Sequence, residues 1–295
     1  MSSQTKSFSK TRIAPTPSGF LHLGNVLSFV ITSALARKNA AKILLRIDDL
    51  DQARVNKQYI QDIFDTLNFL EIPWDEGPRN AKDFEDNYSQ LHRMPVYQEA
   101  LKQLSDEGFV YACNCSRSQL GMGSECLCFN KKPALTSQNA SWRLLTGNNT
   151  PIQVKSYNGE IINAALPQEM NNFVVKKKDG FPAYQLTSVI DDLFYGVDLI
   201  VRGEDLWPST LAQHELAASL GKTIFSAITF YHHPLLMDAG KKLSKSAGAT
   251  SIRYLRENGK NPADIFALIA VMMGINEPVT NWEQLAGCIT SVMKL

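Results

Sequence analysis

Two short segments, 220 positions apart measured from His22 to Lys242, carry residue types that handle a polyphosphate. The first, Ala14-Pro-Thr-Pro-Ser-Gly-Phe-Leu-His-Leu-Gly-Asn25, is a turn punctuated by proline and glycine that leads into an apolar helical stretch. His22 and Asn25 fall near the start of that helix, where unpaired N–H groups and the helix dipole favour phosphate. Gly24 lets the backbone approach a base or ribose closely. The spacing is neither a Walker A loop nor G-x-G-x-x-G. The second segment, Gly240-Lys-Lys-Leu-Ser-Lys-Ser246, puts ammonium groups on a Gly-flanked loop. They suit a triphosphate and the charge that develops as pyrophosphate departs. Taken singly, each segment also reads as plain structure: a capped glycine-bearing turn, and a solvated lysine run.

A third cluster suggests a metal. Cys113-Asn-Cys115 and Cys126-Leu-Cys128 form a C-x-C pair of pairs across a loop containing Gly121 and Gly123. Four thiolates can make a tetrahedral zinc site; four reduced cysteines are the other reading. A Zn2+ held by four protein ligands would be structural, one per chain, with no position open to substrate. Cys288 stands alone and reads as a core residue.

The elements that must position these residues alternate. Arg12–Ala14 reads as a strand, Asn25–Asn39 as a helix apolar on most sides, Lys42–Ile47 as a buried strand and Asn56–Leu70 as a helix. A further helix is expected over Tyr88–Asp106. This alternation predicts an α/β domain with a parallel sheet. From Cys113 to Pro167 the periodicity fades into Gly, Ser, Asn and Cys, as in an insertion. Phe173–Lys177, Tyr184–Thr187, Leu199–Arg202 and Ile228–Tyr231 are strand-like, and Ser209 is expected to cap a helix through Leu220. Helices are expected over Ser251–Glu257, Pro262–Met273 and Trp282–Ala286, with Pro262 in a first turn. The expected divisions are a disordered 1–10, catalytic halves at 11–112 and 168–240, the cysteine insertion at 113–167, and 241–295 with the lysine loop and a short helical segment.

Composition is that of a globular protein, 44% hydrophobic, with a net charge of +1 that gives no global signal for nucleic acid. Lys176-Lys-Lys178 and Lys131-Lys132 are local basic patches, read either as solvated surface or as contacts to a polyanion. The most apolar run, Val26–Ala36, is too short to span a membrane, and the first dozen residues lack the apolar stretch of a signal peptide. A cytoplasmic protein, not membrane-bound and monomeric, is expected.

The paired segments resemble the HIGH and KMSKS signatures of class I aminoacyl-tRNA synthetases, as His22-Leu-Gly-Asn25 and Lys242-Leu-Ser-Lys-Ser246. Asn25 replaces the second histidine. Arg12–Gly19, Leu45-Arg-Ile-Asp-Asp-Leu-Asp51, Trp74-Asp-Glu-Gly-Pro78, Ile190-Asp-Asp192 and Ile200–Asp205 are similar to blocks of the glutamyl branch, in that family's order. The resemblance implies a Rossmann-type catalytic core and an ATP site of Pro15, Ser18, Gly19, His22, Gly24, Asn25, Lys242, Leu243, Ser244, Lys245 and Ser246, used with Mg2+. His22, Lys242 and Lys245 are the catalytic candidates. It implies a glutamate pocket of Arg12, Ala14, Thr16, Asp48, Tyr184 and Arg202. Two arginines suit the two carboxylates of glutamate. The ammonium would fall to Asp48, where the family has Glu, one methylene longer. Either the backbone moves inward, or water bridges, or selectivity differs.

Short members of this branch, the glutamyl-queuosine tRNA(Asp) synthetases, place zinc ligands as Cys-x-Cys, then Tyr and Cys. Cys113 and Cys115 match; Cys126 would replace the Tyr and Cys128 would close the site. Only 49 residues follow Ser246, which leaves the expectation of a catalytic core without an anticodon reader. The implied activity is formation of glutamyl-adenylate and transfer to queuosine in tRNA(Asp). The alternatives are a truncated glutamyl-tRNA synthetase charging the 3′ end of tRNA(Glu), a nucleotidyltransferase of the same superfamily, and a non-catalytic tRNA-binding paralogue.

Overall fold

The structure is a computed structural model that describes residues 7–116, 119, 126, 128–131, 133–147, 151–238, 241–242 and 251–293. In chain order the principal elements are β1 (Lys10–Ile13), α1 (Leu23–Asn39), β2 (Lys42–Leu45), α2 (Lys57–Phe69), α3 (Met94–Asp106), β3 (Val110–Cys113), β4 (Ser141–Leu144), β5 (Ile152–Ser156), β6 (Ile161–Ala164), β7 (Val174–Lys176), α4 (Tyr184–Phe194), β8 (Leu199–Gly203), α5 (Trp207–Ser219), β9 (Thr229–His233), β10 (Met237–Asp238), β11 (Lys241–Lys242), α6 (Ile252–Glu257), α7 (Pro262–Met272) and α8 (Trp282–Val292). They group into two units. One holds residues up to His92, Val197–Asp205 and Thr229 onward; the other holds Arg93–Gly196 and Leu206–Ile228.

The first unit is built on parallel strands. Ile43, Leu44 and Leu45 are all buried, so β2 needs neighbours that hide both faces. It pairs in parallel with β1, with Arg12 opposite Leu44. β8 and β9 pair in parallel, with Arg202 opposite His232. The amide of Asp198 donates to Lys10 O (3.0 Å) and the Arg12 guanidinium to Val201 O (3.1 Å). The numbers rise together along β1 and β8, so the spatial order is β2, β1, β8, β9 with all strands running one way. Helix α1 has no polar face: Val26, Leu27, Val30, Ile31 and Leu35 are all buried. It therefore needs cover all round, supplied by β1, β2 and β8 and by α7 and α8. In α2 the buried Ile60, Ile63, Phe64 and Leu67 keep helical spacing, and Asn56 caps its start.

The second unit holds the antiparallel sheet β3–β4–β7 and the β5–β6 hairpin, with α3, α4 and α5. Its buried knot is Asp191 on α4. The Arg93 guanidinium donates to both oxygens of Asp191 (2.8 and 3.0 Å), and the Tyr97 hydroxyl donates to one (2.6 Å). Asp191 is fully buried, so the charge-assisted bonds from Arg93 and Tyr97 are what make its burial tolerable.

Several local expectations are corrected. Tyr184–Thr187 is not a strand but the first turn of α4, whose apolar residues Leu186, Val189 and Ile190 follow helical spacing. Ser209 is not an N-cap: α5 begins at Trp207 with Pro208 in its first turn, and Ser209 Oγ accepts from the Gln185 amide (3.0 Å). The helix expected from Tyr88 is a 3-10 turn over Gln90–Arg93, followed by α3 with Pro95 in its first turn. Ser7–Lys10, read as disordered, are ordered: Phe8 is buried, Ser9 bonds the Asp198 carboxylate through its amide and hydroxyl (both 2.8 Å), and Lys10 begins β1. Among the described residues no helix is long and apolar enough to cross a membrane.

Candidate active site

The turn after β1 is tied to the chain after β2. Arg46 N donates to Ile13 O (2.9 Å) and Asp48 N to Pro15 O (3.0 Å), so residues 13–15 and 46–48 run side by side. Ser18 N closes a tight turn onto Thr16 O (2.9 Å), and Pro15 is buried while Ala14, Thr16, Ser18 and Gly19 are half-buried. The turn delivers His22 to the N-cap of α1. His22 Nδ1 accepts from Gly24 N (3.1 Å), and the Asn25 side-chain oxygen accepts from His22 N (3.0 Å), a reciprocal capping box. Asn25 thus holds the backbone of the histidine beside it. With Nδ1 accepting, a neutral His22 carries its proton on Nε2, a donor suited to a phosphate oxygen. A Cβ on Gly24 would lie 3.0–3.1 Å from the His22 ring, so the glycine makes room for the imidazole.

The downstream flank of the second signature meets the first. Upstream, β10 and β11 form a short antiparallel ladder, with Met237 opposite Lys242 and Asp238 opposite Lys241. Leu243, Ser244, Lys245 and Ser246 lie outside the described residues. Downstream, Ser251 forms an antiparallel bridge with His22, and Ile252 N donates to Leu21 O (2.8 Å). Ser251 then caps α6, accepting from Tyr254 N (3.2 Å).

The same unit buries two of the arginines expected to meet an amino acid. Arg12 is 6% and Arg202 3% exposed. The Arg202 guanidinium lies over the Phe230 ring at 5.4 Å, and His232 stacks with that ring at 6.1 Å. Burial, helped by the charge of Arg202 and by His233, pushes His232 down to about 3, so its imidazole is neutral at physiological pH. Asp48 is buried in a bidentate pair: Arg46 Nε and Nη2 donate to its two oxygens at 2.7 and 3.1 Å. Sequence reading picked out Asp48 but missed Arg46 and His232. Arg46 stood in the Leu45–Asp51 block, and His232 had no signal beyond its strand. Tyr184 belongs to the second unit, where it opens α4 and is 42% exposed.

Other blocks are scaffolding. Asp49 accepts from Ser89 Oγ (2.6 Å) and Gln90 N (2.8 Å), and so fixes the chain after α2. The Trp74–Pro78 block extends the edge of β2: Leu45 N donates to Glu76 O (2.9 Å) and Ile43 N to the Asp75 carboxylate (2.7 Å). Gly77 is obligatory there, with φ +98° and space that puts any Cβ 2.2 Å from Leu45 O. The basic patch at Lys176–Lys178 is engaged locally. Lys176 lies over Trp142 (4.2 Å), Lys177 pairs with Asp179 (3.0 Å), and Lys178 donates to Asn114 O (2.7 Å).

In the second unit the four cysteines converge. Their sulfur atoms all lie within 4.8 Å of one another. Cys113–Cys126, Cys115–Cys128 and Cys115–Cys126 are 3.4, 3.7 and 3.9 Å apart. A zinc tetrahedron with bonds near 2.3 Å has an edge of about 3.8 Å, so the set fits Zn2+. Cys113 at the end of β3 and Cys128 at the start of a helical turn give two sulfurs a regular support. Burial resists ionisation of Cys113, yet the Cys115 amide and Arg143 bring it down to about 7, whereas burial and the neighbouring thiols push Cys115 up to about 12 and burial pushes Cys126 up; a bound Zn2+ would ionise them.

The family described as tRNA synthetases class I (E and Q), catalytic domain, matches residues 9–292. A glutamate–tRNA ligase of Methylobacillus flagellatus is 32% identical over 284 residues, covering 88% of this chain and 57% of that protein. A second, from Dehalococcoides mccartyi, is 30% identical and covered over 55% of its length. The chain thus spans little more than half of these relatives. A protein of Symbiobacterium thermophilum named glutamyl-Q tRNA(Asp) synthetase is 33% identical over 282 residues, covering 90% of this chain and 86% of that one. The crystal structure of glutamate-tRNA synthetase from Elizabethkingia anophelis superposes with a TM-score of 0.70 at 22% identity, over 95% of this chain and 65% of that one, a likeness of fold.

Proposed function

Because the chain belongs to the catalytic-domain family of class I tRNA synthetases for glutamate and glutamine, we propose that it activates L-glutamate with ATP and transfers it to the queuosine base of tRNA(Asp). An α-carboxylate oxygen of glutamate attacks the α-phosphorus of ATP, and the bond to the bridging oxygen breaks as Mg2+-pyrophosphate leaves. A queuosine hydroxyl then attacks the carbonyl carbon of the mixed anhydride, losing its proton as AMP departs. No enzyme nucleophile is needed, so catalysis is positioning and charge stabilisation. His22, through Nε2–H, and Lys242 and Lys245 act on the phosphates. Arg12 and Arg202 serve the carboxylates of glutamate, and Asp48 serves its ammonium, shared with Arg46. The Cys113, Cys115, Cys126 and Cys128 thiolates hold a structural Zn2+.

One observation carries the activation step: the His22 cap of α1 is bridged to Ser251, just beyond the lysine signature, in the unit that buries Arg12 and Arg202. The acceptor follows the Symbiobacterium relative, matched over 86% of its length. A second reading, charging the 3′ end of tRNA(Glu), has the glutamate–tRNA ligases in its favour. ATP–pyrophosphate exchange with glutamate, glutamine and aspartate, with and without tRNA, tests the first step. Glutamate-dependent exchange without tRNA is expected, and exchange with aspartate alone refutes it. Transfer of labelled glutamate to tRNA(Asp), abolished when periodate cleaves the vicinal diol of queuosine, supports the acceptor. Labelling of tRNA(Glu) instead decides for the second reading.

A further inference from the structure

The reach of α6 back to the His22 turn exceeds what the bridge alone requires. Both backbone polar groups of Leu21 are held. Its carbonyl accepts from Ile252 N (2.8 Å), and its amide donates to Asp62 Oδ2 on α2 (3.1 Å). The neighbouring Phe20 is clamped as well: the Arg253 guanidinium lies 4.8 Å over its ring, and Tyr59 of α2 meets it edge-on at 4.8 Å. One turn along α6, Arg256 lies over Phe69 at the end of α2, 5.2 Å away. Asp62 is 4% exposed; burial raises its pKa, and the Leu21 amide and the charges of Arg256 and Arg253 oppose that rise. Three consecutive residues before α1, Phe20–His22, therefore meet three consecutive residues at the start of α6, Ser251–Arg253, with α2 as backing.

We infer that Asp62 and Arg253 are positioning residues that latch the chain leaving the lysine signature onto the turn that carries His22. Neither touches substrate. Asp62 fixes the amide of Leu21, the residue before His22, and Arg253 pins α6 to the ring two residues before His22. Together they set where the chain leaving the lysine signature meets the His22 turn. The cation–π contact of Arg253 is short-range and holds only when the two segments are in register, while the Asp62 bond holds the turn itself against α2. Arg253 also pairs with Glu257 (2.8 Å), which keeps its guanidinium extended along α6. The inference rests on the reading of His22 and the lysine signature as the ATP site.

The test is glutamate-dependent ATP–pyrophosphate exchange by D62A and R253A, with KM measured separately for ATP and glutamate. KM for ATP is expected to rise at least fivefold in each, with KM for glutamate within twofold of the parent. D62N, which keeps an acceptor oxygen, and R253K, which keeps a cation, recover at least half of the loss. Simple destabilisation would shrink the active fraction and leave both KM values unchanged. If the alanine variants do not fold, D62N and R253K are read alone and must raise KM for ATP at least twofold. K245A separates the two levels of the argument. If K245A abolishes exchange while the latch variants keep the parental KM for ATP, the latch is overturned. If K245A leaves exchange unchanged, the ATP-site reading falls first.

Discussion

Replacing Arg46 with methionine probes the most exposed assumption about the amino-acid site, that Asp48 is a carboxylate held in place by a guanidinium. Arg46 is 4% and Asp48 7% exposed, and their two bonds are 2.7 and 3.1 Å long. Methionine fills much of the volume but leaves a buried carboxylate without its bidentate donor. Removing one partner of such a pair costs about 3–5 kcal/mol, most of it the penalty of the charge left behind. At roughly 2–4 °C per kcal/mol, the melting temperature should fall by roughly 6–20 °C. D48N with Arg46 intact costs less, since an amide oxygen still accepts. The double variant R46M/D48N removes both charges and should recover to within about 1.5 kcal/mol of the parent. Thermal unfolding of the four proteins, followed by circular dichroism, closes the cycle. A shift below about 3 °C for R46M, or a double variant as unstable as the sum of the singles, refutes the reasoning.

Three more outcomes follow from the geometry. Gly24→Ala should cut ATP–pyrophosphate exchange at least tenfold, since a Cβ 3.0 Å from the His22 ring displaces the imidazole, while losing the Nδ1 cap costs only about 1 kcal/mol of stability; full activity would mean that the ring position is irrelevant. Protein purified without chelator should carry about one Zn2+ per chain by atomic absorption, and C115S should carry almost none; parental zinc in C115S would move the site elsewhere. The folded pKa of His232, about 3, is below its unfolded value, so the unfolded chain takes up this proton first and the stabilising contribution is lost as pH falls from about 6.5 to about 3. H232Q should flatten the pH dependence of melting in that window, and an unchanged slope would remove His232 as its source.

What the sequence disclosed was local or periodic. The parallel unit could be read because α1 is apolar all round and because Ile43–Leu45 cannot face water on either side. The Cys113–Cys128 pairing could be read because thiolate spacing is itself a geometry. Tyr184–Thr187 misled because four residues alternate like a strand, and only the extension to Val189 and Ile190 restores the helical period. Ser209 looked like a cap until Gln185 claimed its hydroxyl from another helix. Arg46 could not be weighed from its block alone, since the same arginine could face water or turn back onto Asp48. Which lysines of the 176–178 patch are engaged depends on Trp142, Asp179 and Asn114, two of them distant in sequence. The capping role of Asn25 was partly visible as a polar residue near a helix start; its bond to His22 was not.

The cover on α1 has a consequence for how this protein must be made. That helix is complete by Asn39, yet part of its cover comes from α7 and α8, the latter beginning at Trp282. At a synthesis rate of roughly 5–20 residues per second, the intervening 243 residues take about 12–50 s to emerge. Throughout that interval α1 lacks part of its native shelter. The His22–Ser251 bridge waits almost as long. The nascent chain therefore displays a seventeen-residue apolar helix well before the residues that bury it exist, and that helix is where a ribosome-bound chaperone would be expected to engage first.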